Sequence, residues 1–164
     1  MTGKSNEYRV RNYNIHELLV NVVTHESGVR PNLHQFRTYK RAKIGGRRFT
    51  ANEPLSGVRR TTEKMFRCGS VFTMISKGRS IYGYIHRFVS CDQVDMVEVN
   101  WLPIPEYPMG TPIVVRLGFY NNRPVEPPVV LLNDIDPSPV SMLHDHDNNC
   151  VYVMRMNGID TVSE

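Results

Sequence analysis

Two histidines stand two residues apart in His144-Asp145-His146-Asp147. On a strand, side chains at i and i+2 share one face, and a neutral imidazole is a good ligand for a divalent transition metal. His144 and His146 are therefore the candidate metal pair, with Cys150, Asp134 or Asp136 to complete a site. The competing reading is a solvated polar turn, because the stretch is rich in Asp and Asn and leads into an apolar run. The cysteines add little to either. Cys68, Cys91 and Cys150 form no C-x-x-C pair, and three distant thiols build no disulfide framework. They read as reduced, partly buried thiols. There is no G-x-S-x-G, Walker-type phosphate loop or Rossmann glycine pattern. Gly45-Gly46-Arg47-Arg48 lacks the flanking strand and helix of a phosphate loop. The chain is accordingly read as non-enzymatic, with no cofactor.

Phosphate chemistry has a stronger claim. Arg37, Lys40, Arg41, Lys43, Arg47, Arg48, Arg59, Arg60, Lys64 and Arg67 fall in one stretch whose carboxylates are Glu53 and Glu63. Arg and Lys neutralise phosphates and release their counterions, and the planar fork of Arg suits phosphate better than a point charge. Phe36, Tyr39 and Phe49 are interleaved with these cations and are the candidates for stacking on unpaired bases, with Phe66 further along. Packing beneath the basic segment as a small satellite core is the alternative for the aromatics. The same cations could lie on an anionic membrane surface, which without an apolar stripe gives reversible binding.

The charge is unevenly distributed along the chain. Met1 to Arg87 holds 17 Lys/Arg against 5 Asp/Glu, a balance of +12, whereas Phe88 to Glu164 holds 3 against 11, a balance of −8. Such asymmetry points to a polyanionic partner. It also suggests head-to-tail homo-oligomers in which copies neutralise one another. Folding of the two halves onto a shared, mutually neutralised surface is the alternative.

These side chains need a scaffold. A length of 164 residues with 40% hydrophobic content implies one domain over 1–164 with a packed core. No apolar run is long enough to span a membrane, and the first residues lack an apolar signal core. Asn14 with Glu17 three residues on resembles a capping box. Ile15, Leu18, Leu19, Val22 and Val23 then recur at helical spacing up to Ser27-Gly28, which predicts a helix over 15–26. A short strand over Tyr8–Tyr13 is expected ahead of it. Residues 29–60, with little periodicity, read as a basic arm or long loop. Thr61 to Lys64 starts a short helix carrying Met65, Phe66 and Cys68, and Ser70 to Ser76 reads as helix or strand. After Gly78 the period becomes two. Tyr82, Tyr84, His86 and Phe88 alternate with Ile81, Gly83, Ile85 and Arg87, and similar patterns recur at 97–101, 113–119, 129–132 and 151–156. A single helical turn is expected from Ser138-Pro139 through Leu143. The predicted class is α+β: an N-terminal helix and basic arm packed with a mainly antiparallel sheet of five strands or more in the second half.

Two family resemblances follow. Gly78-Arg79-Ser80-Ile81-Tyr82-Gly83-Tyr84-Ile85 ahead of the sheet, together with size, charge and the early apolar segment, is similar in outline to the matrix proteins of rhabdoviruses, the short plant-virus ones in particular. That likeness implies a small basic protein that coats a nucleocapsid, condenses it against an anionic membrane and self-associates, in a virion or in the host cytoplasm or nucleus. The P-P-x-Y motif of some animal-virus relatives is missing, Pro127-Pro128 being followed by Val129-Val130. Val97 to Pro103 followed by Gly110 to Leu117 resembles the strand–proline–glycine–strand unit of the 30K movement proteins and of single jelly-roll coats. Gly118 stands where an Asp commonly ends the second strand of that unit. This second likeness implies binding of single-stranded nucleic acid.

Overall fold

The computed structural model describes residues 1–51, 70–104, 113–116, 124–145, 147–148 and 150–155. Helix α1 runs over Tyr13–Ser27. Its N-cap is Asn12, not the expected Asn14: Asn12 is extended, and its side chain accepts from the backbone N–H groups of Asn14 and Ile15. An Asn in that position satisfies N–H groups that the first turn leaves without helical partners. Gly28 ends the helix as expected. Its φ of +79° suits a residue without Cβ, and its N–H donates to the Thr24 carbonyl at 2.8 Å. The buried stripe is Leu19, Val20 and Val23, with Ile15, Leu18 and Val22 packed beside it.

The strands are β1 (Asn6–Glu7), β2 (Phe36–Tyr39), β3 (Arg41–Ile44), β4 (Arg47–Thr50), β5 (Val71–Ser76), β6 (Arg79–Cys91), β7 (Val94–Trp101), β8 (Ile113–Arg116), β9 (Val129–Leu131), β10 (Val140–Asp145) and β11 (Cys150–Arg155). All of their pairings are antiparallel. The fold is α+β. Its main sheet has six strands in the order β1-β2-β6-β7-β9, with β5 also on β6. β2 pairs with Phe88–Cys91 and β5 with Arg79–Tyr84, so the two lie end to end along one edge of β6, with β7 on the other. β10-β11-β8 form a second sheet and β3-β4 a two-stranded ribbon.

Several expectations are corrected here. Within the segment 29–60, expected as an arm or long loop, Phe36 to Thr50 forms three strands with alternating burial, and 52–60 lie outside the described residues. The strand expected over Tyr8–Tyr13 lies earlier and is shorter, at Asn6–Glu7. Ser70 to Ser76 resolves to strand, and the turn of helix expected from Ser138 is instead the start of β10. The main sheet is not confined to the second half, since β1 and β2 belong to it. The boundary between the +12 and −8 halves, Arg87/Phe88, falls inside β6, so the two halves interleave in one sheet. The helix expected at Thr61 to Lys64, with Met65, Phe66 and Cys68, lies outside the described residues.

Three hairpins close on two-residue loops in which both central residues have positive φ: Gly45-Gly46, Lys77-Gly78 and Asp92-Gln93. That turn matches the right-handed twist of the strands it joins. Two cores sandwich the main sheet. One gathers Phe72, Ile81, Ile85, Phe88, Val97, Val99 and Trp101 under Ala42, Ile44 and Phe49 of the ribbon. The other gathers Tyr8, Phe36, Val89, Cys91 and Met96 under α1.

A β-bulge between Ile85 and Arg87 decides which residues of β6 face which core. The strict alternation read from the sequence would set Phe88 with Tyr84. The extra residue at His86 shifts the phase, so Phe88 joins Ile85 beneath the ribbon. Arg87 turns instead to the helix side, directly opposite Glu98 of β7.

Candidate nucleic-acid interface

The ribbon β3-β4 is where the predicted basic residues gather. Its inner face is Ala42, Ile44 and Phe49, the first and last with no exposed surface. With a side-chain period of two, Arg41, Lys43, Arg48 and Thr50 must point the other way, and all four are exposed. The register sets Lys43 opposite Arg48 and Arg41 opposite Thr50. Cross-strand partners stand about 5 Å apart, and Arg41 and Lys43 are separated by about 7 Å along the strand. Three cations therefore share a patch narrower than the screening length of about 10 Å at 0.1 M salt. Among the described residues none of the three has an ion-pair partner.

The patch is firmly held. Gly45 approaches Pro137 so closely that an added Cβ would lie 2.8 Å from the proline ring. Arg47 does not join the surface. Its guanidinium sits 4.7 Å from the centre of the Phe49 ring and donates to the Ser138 carbonyl at 2.9 Å, tying the ribbon to the segment before β10. On the open side, Thr2 bridges Arg41, while Asn6 and Glu7 pair with Thr38 and Arg37. Residues 2–7 thus run along the edge of β3 and β2. They include the exposed Lys4, which no local pattern could have placed at this edge.

The other candidates separate. Lys40 is exposed at the junction of β2 and β3. Arg37 lies on β2, opposite Glu7 and donating to the Ser5 hydroxyl at 3.1 Å, so it is drawn away from the ribbon. Arg59, Arg60, Lys64 and Arg67 lie outside the described residues. The expected stacking residues are corrected: Phe36 and Phe49 are 1% and 0% exposed and belong to the two cores, and Tyr39 is half-buried against the first. Strand alternation turns them inward wherever their basic neighbours turn outward. The signal that could have shown this is Gly45-Gly46 between alternating runs, which marks a hairpin more strongly than a loop.

The metal pair gains no support. His146 lies outside the described residues, and His144 is placed by its backbone pairing with Val151. Asp145 closes the β10–β11 turn, accepting from the backbone N–H groups of Asp147 and Asn148 and from the Asn148 amide at 2.8 Å. Those bonds, Asn148's first, hold its carboxyl below the usual carboxylate range. Asp136 accepts from the Ser138 N–H at 2.8 Å. Cys150 is buried. Among the described residues no three His, Cys, Asp or Glu side chains gather as a metal site would need. Among them also, no helix is long and apolar enough to cross a membrane.

One further charged group lies on the helix side. Arg87 and Glu98 form an ion pair with side chains 4% and 10% exposed. Arg87 also donates to the Arg9 carbonyl at 3.2 Å and stacks 4.8 Å from the Tyr8 ring centre. Tyr8 in turn shares a 2.9 Å hydrogen bond with His16 Nδ1 of α1. Burial raises the Tyr8 hydroxyl above its ordinary 10.0. This group joins the N-terminal segment, helix and sheet, and it is enclosed.

Comparison of the chain with protein-family models, with curated proteins and with solved structures finds no match in any of the three.

Proposed function

We propose that this chain is a non-enzymatic structural protein that binds RNA or a ribonucleoprotein through the outer face of the β3-β4 ribbon. The observation that carries this reading is the crowding of Arg41, Lys43 and Arg48 on one rigid exposed face without a carboxylate partner among the described residues. Like charges directly opposed across two strands destabilise the ribbon, and a phosphate chain relieves that repulsion. A matrix-type role follows: the protein coats a nucleocapsid in a virion or in the host cytoplasm, with copies meeting through the surface left free of the strand. Sedimentation with and without RNA tests that self-association, and monomers in both conditions would remove it.

The binding itself is tested by salt. Three neutralised phosphates on a single strand give a slope of log affinity against log salt of about −2. Between 50 and 200 mM the affinity then falls by roughly 20-fold. Reversal of Arg41, Lys43 and Arg48 to Glu abolishes binding while the protein stays folded. Retention of RNA affinity by a folded triple variant would sink the proposal. Arg47 is left unchanged, because its reversal would disturb the ribbon's attachment as well as its charge.

A further inference from the structure

Resting on that reading, we infer that the ribbon recognises the phosphate backbone alone and takes double-stranded nucleic acid in preference to a single strand. Sequence-tolerant binding of unpaired bases relies on exposed aromatic faces as well as on cations. Among the described residues the binding side shows no such face. Phe36 and Phe49 are spent in the two cores, and Tyr39 packs against the ribbon-side core. Tyr13 is the large exposed aromatic among the described residues, and it belongs to α1 on the opposite side of the main sheet. What the ribbon presents is Arg41, Lys43, Arg48 and Thr50: three cations and a hydroxyl. All of these suit phosphate oxygens, and none offers an aromatic face to a base.

Rigidity points the same way. The cations sit on paired strands closed by a two-glycine turn, with Phe49 buried beneath and Arg47 bonded to Ser138. A fixed array of cations gains most from a fixed array of anions, since neither partner has conformational freedom left to lose. A duplex offers that array. It also carries about one charge per 1.7 Å of axis, and each neutralised phosphate releases more counterion than on a single strand, about 0.9 against 0.7.

The test is a set of binding titrations on the intact chain. The probes are an RNA duplex, its separated strands, homopolymers of each base, inorganic polyphosphate and vesicles of anionic phospholipid. The duplex is expected to bind most tightly, with a salt slope near −2.7 against about −2.1 for single strands. The homopolymers are expected to agree within about threefold, because contacts to phosphate carry no information about the base. Polyphosphate is expected to compete as effectively per phosphate as single-stranded RNA. Tighter binding of a single strand, or a spread among homopolymers, overturns this inference and leaves the proposed function standing. Binding to vesicles but to no nucleic acid, or to none of the probes, overturns both. A variant with Arg41, Lys43 and Arg48 replaced by Gln keeps the shape of the ribbon and is expected to lose binding to duplex and polyphosphate alike.

Discussion

Arg87 and Arg41 are counted alike in the charge balance of the basic half, yet the fold uses them in opposite ways. Arg87 is turned inward by the bulge in β6, meets Glu98, and is covered by Tyr8 and the Arg9 carbonyl. Arg41 is turned outward by the alternation of β3, with Lys43 and Arg48 beside it and no ion-pair partner among the described residues. A charge already neutralised inside the protein has no attraction left for a partner. A charge held outside among its like gains most from one. The difference shows that the number of basic residues in a segment says less about binding than the strand register that aims them.

The two environments separate most widely when one partner is removed. Glu98→Ala leaves Arg87 enclosed without a counter-charge, and loss of one member of a buried pair costs about 3–5 kcal/mol. Arg41→Ala removes an exposed side chain and should stay within about 0.5 kcal/mol. Denaturant unfolding of the two variants checks this, and similar small losses from both would erase the distinction. Replacing the pair together by Arg87→Met and Glu98→Leu should recover most of the loss, since apolar groups of similar volume often fill such a site without penalty.

Some of this was legible in the residues. The periodicity of α1, the stop at Gly28 and the strands around Tyr82, Val97 and Val129 each express one local rule, and the structure keeps them. The bulge was not legible, because nothing in Ile85-His86-Arg87 states that the register will shift there. The ribbon was hidden for another reason. In Arg41 to Thr50 the apolar set is only Ala42, Ile44 and Phe49, while the outward positions are all basic or hydroxylic, so charge masked an alternation that was present. Asn12 caps the helix because the backbone is extended there, a choice between nearby asparagines that spacing could not make. The placement of Lys4 depends on strand pairing some forty residues distant in sequence, which no local pattern encodes.

The helix side has a second signature that the ribbon lacks. Burial, with help from the Asp92 carboxylate, pushes the Cys91 thiol from 9.0 up to about 11. The unfolded chain gives up this proton near pH 9, while the folded chain holds it until about 11. Over that window the folded state carries the extra proton, so stability falls as pH rises. Tyr8, also raised by burial, acts in the same sense above its ordinary 10.0. Denaturation midpoints followed through this range should decline for the native chain. They should decline less between 9 and 10 for Cys91→Ala, whatever that change costs in packing. Identical profiles would mean that the thiol is not enclosed as described.

The smallest expected effect has the most informative sign. Lys43 stands directly across from Arg48, so Lys43→Thr removes a like-charge opposition and places a β-branched residue on a strand. The ribbon should gain about 0.2–1 kcal/mol at low salt, and the gain should shrink as salt screens the charges. Nucleic-acid affinity should move the other way, with the slope against log salt falling by about one phosphate's share. A purely structural lysine would show neither the salt-dependent gain nor the loss of affinity. A lysine kept for a ligand shows both, because the repulsion it imposes on the empty ribbon is the same interaction that a bound phosphate removes.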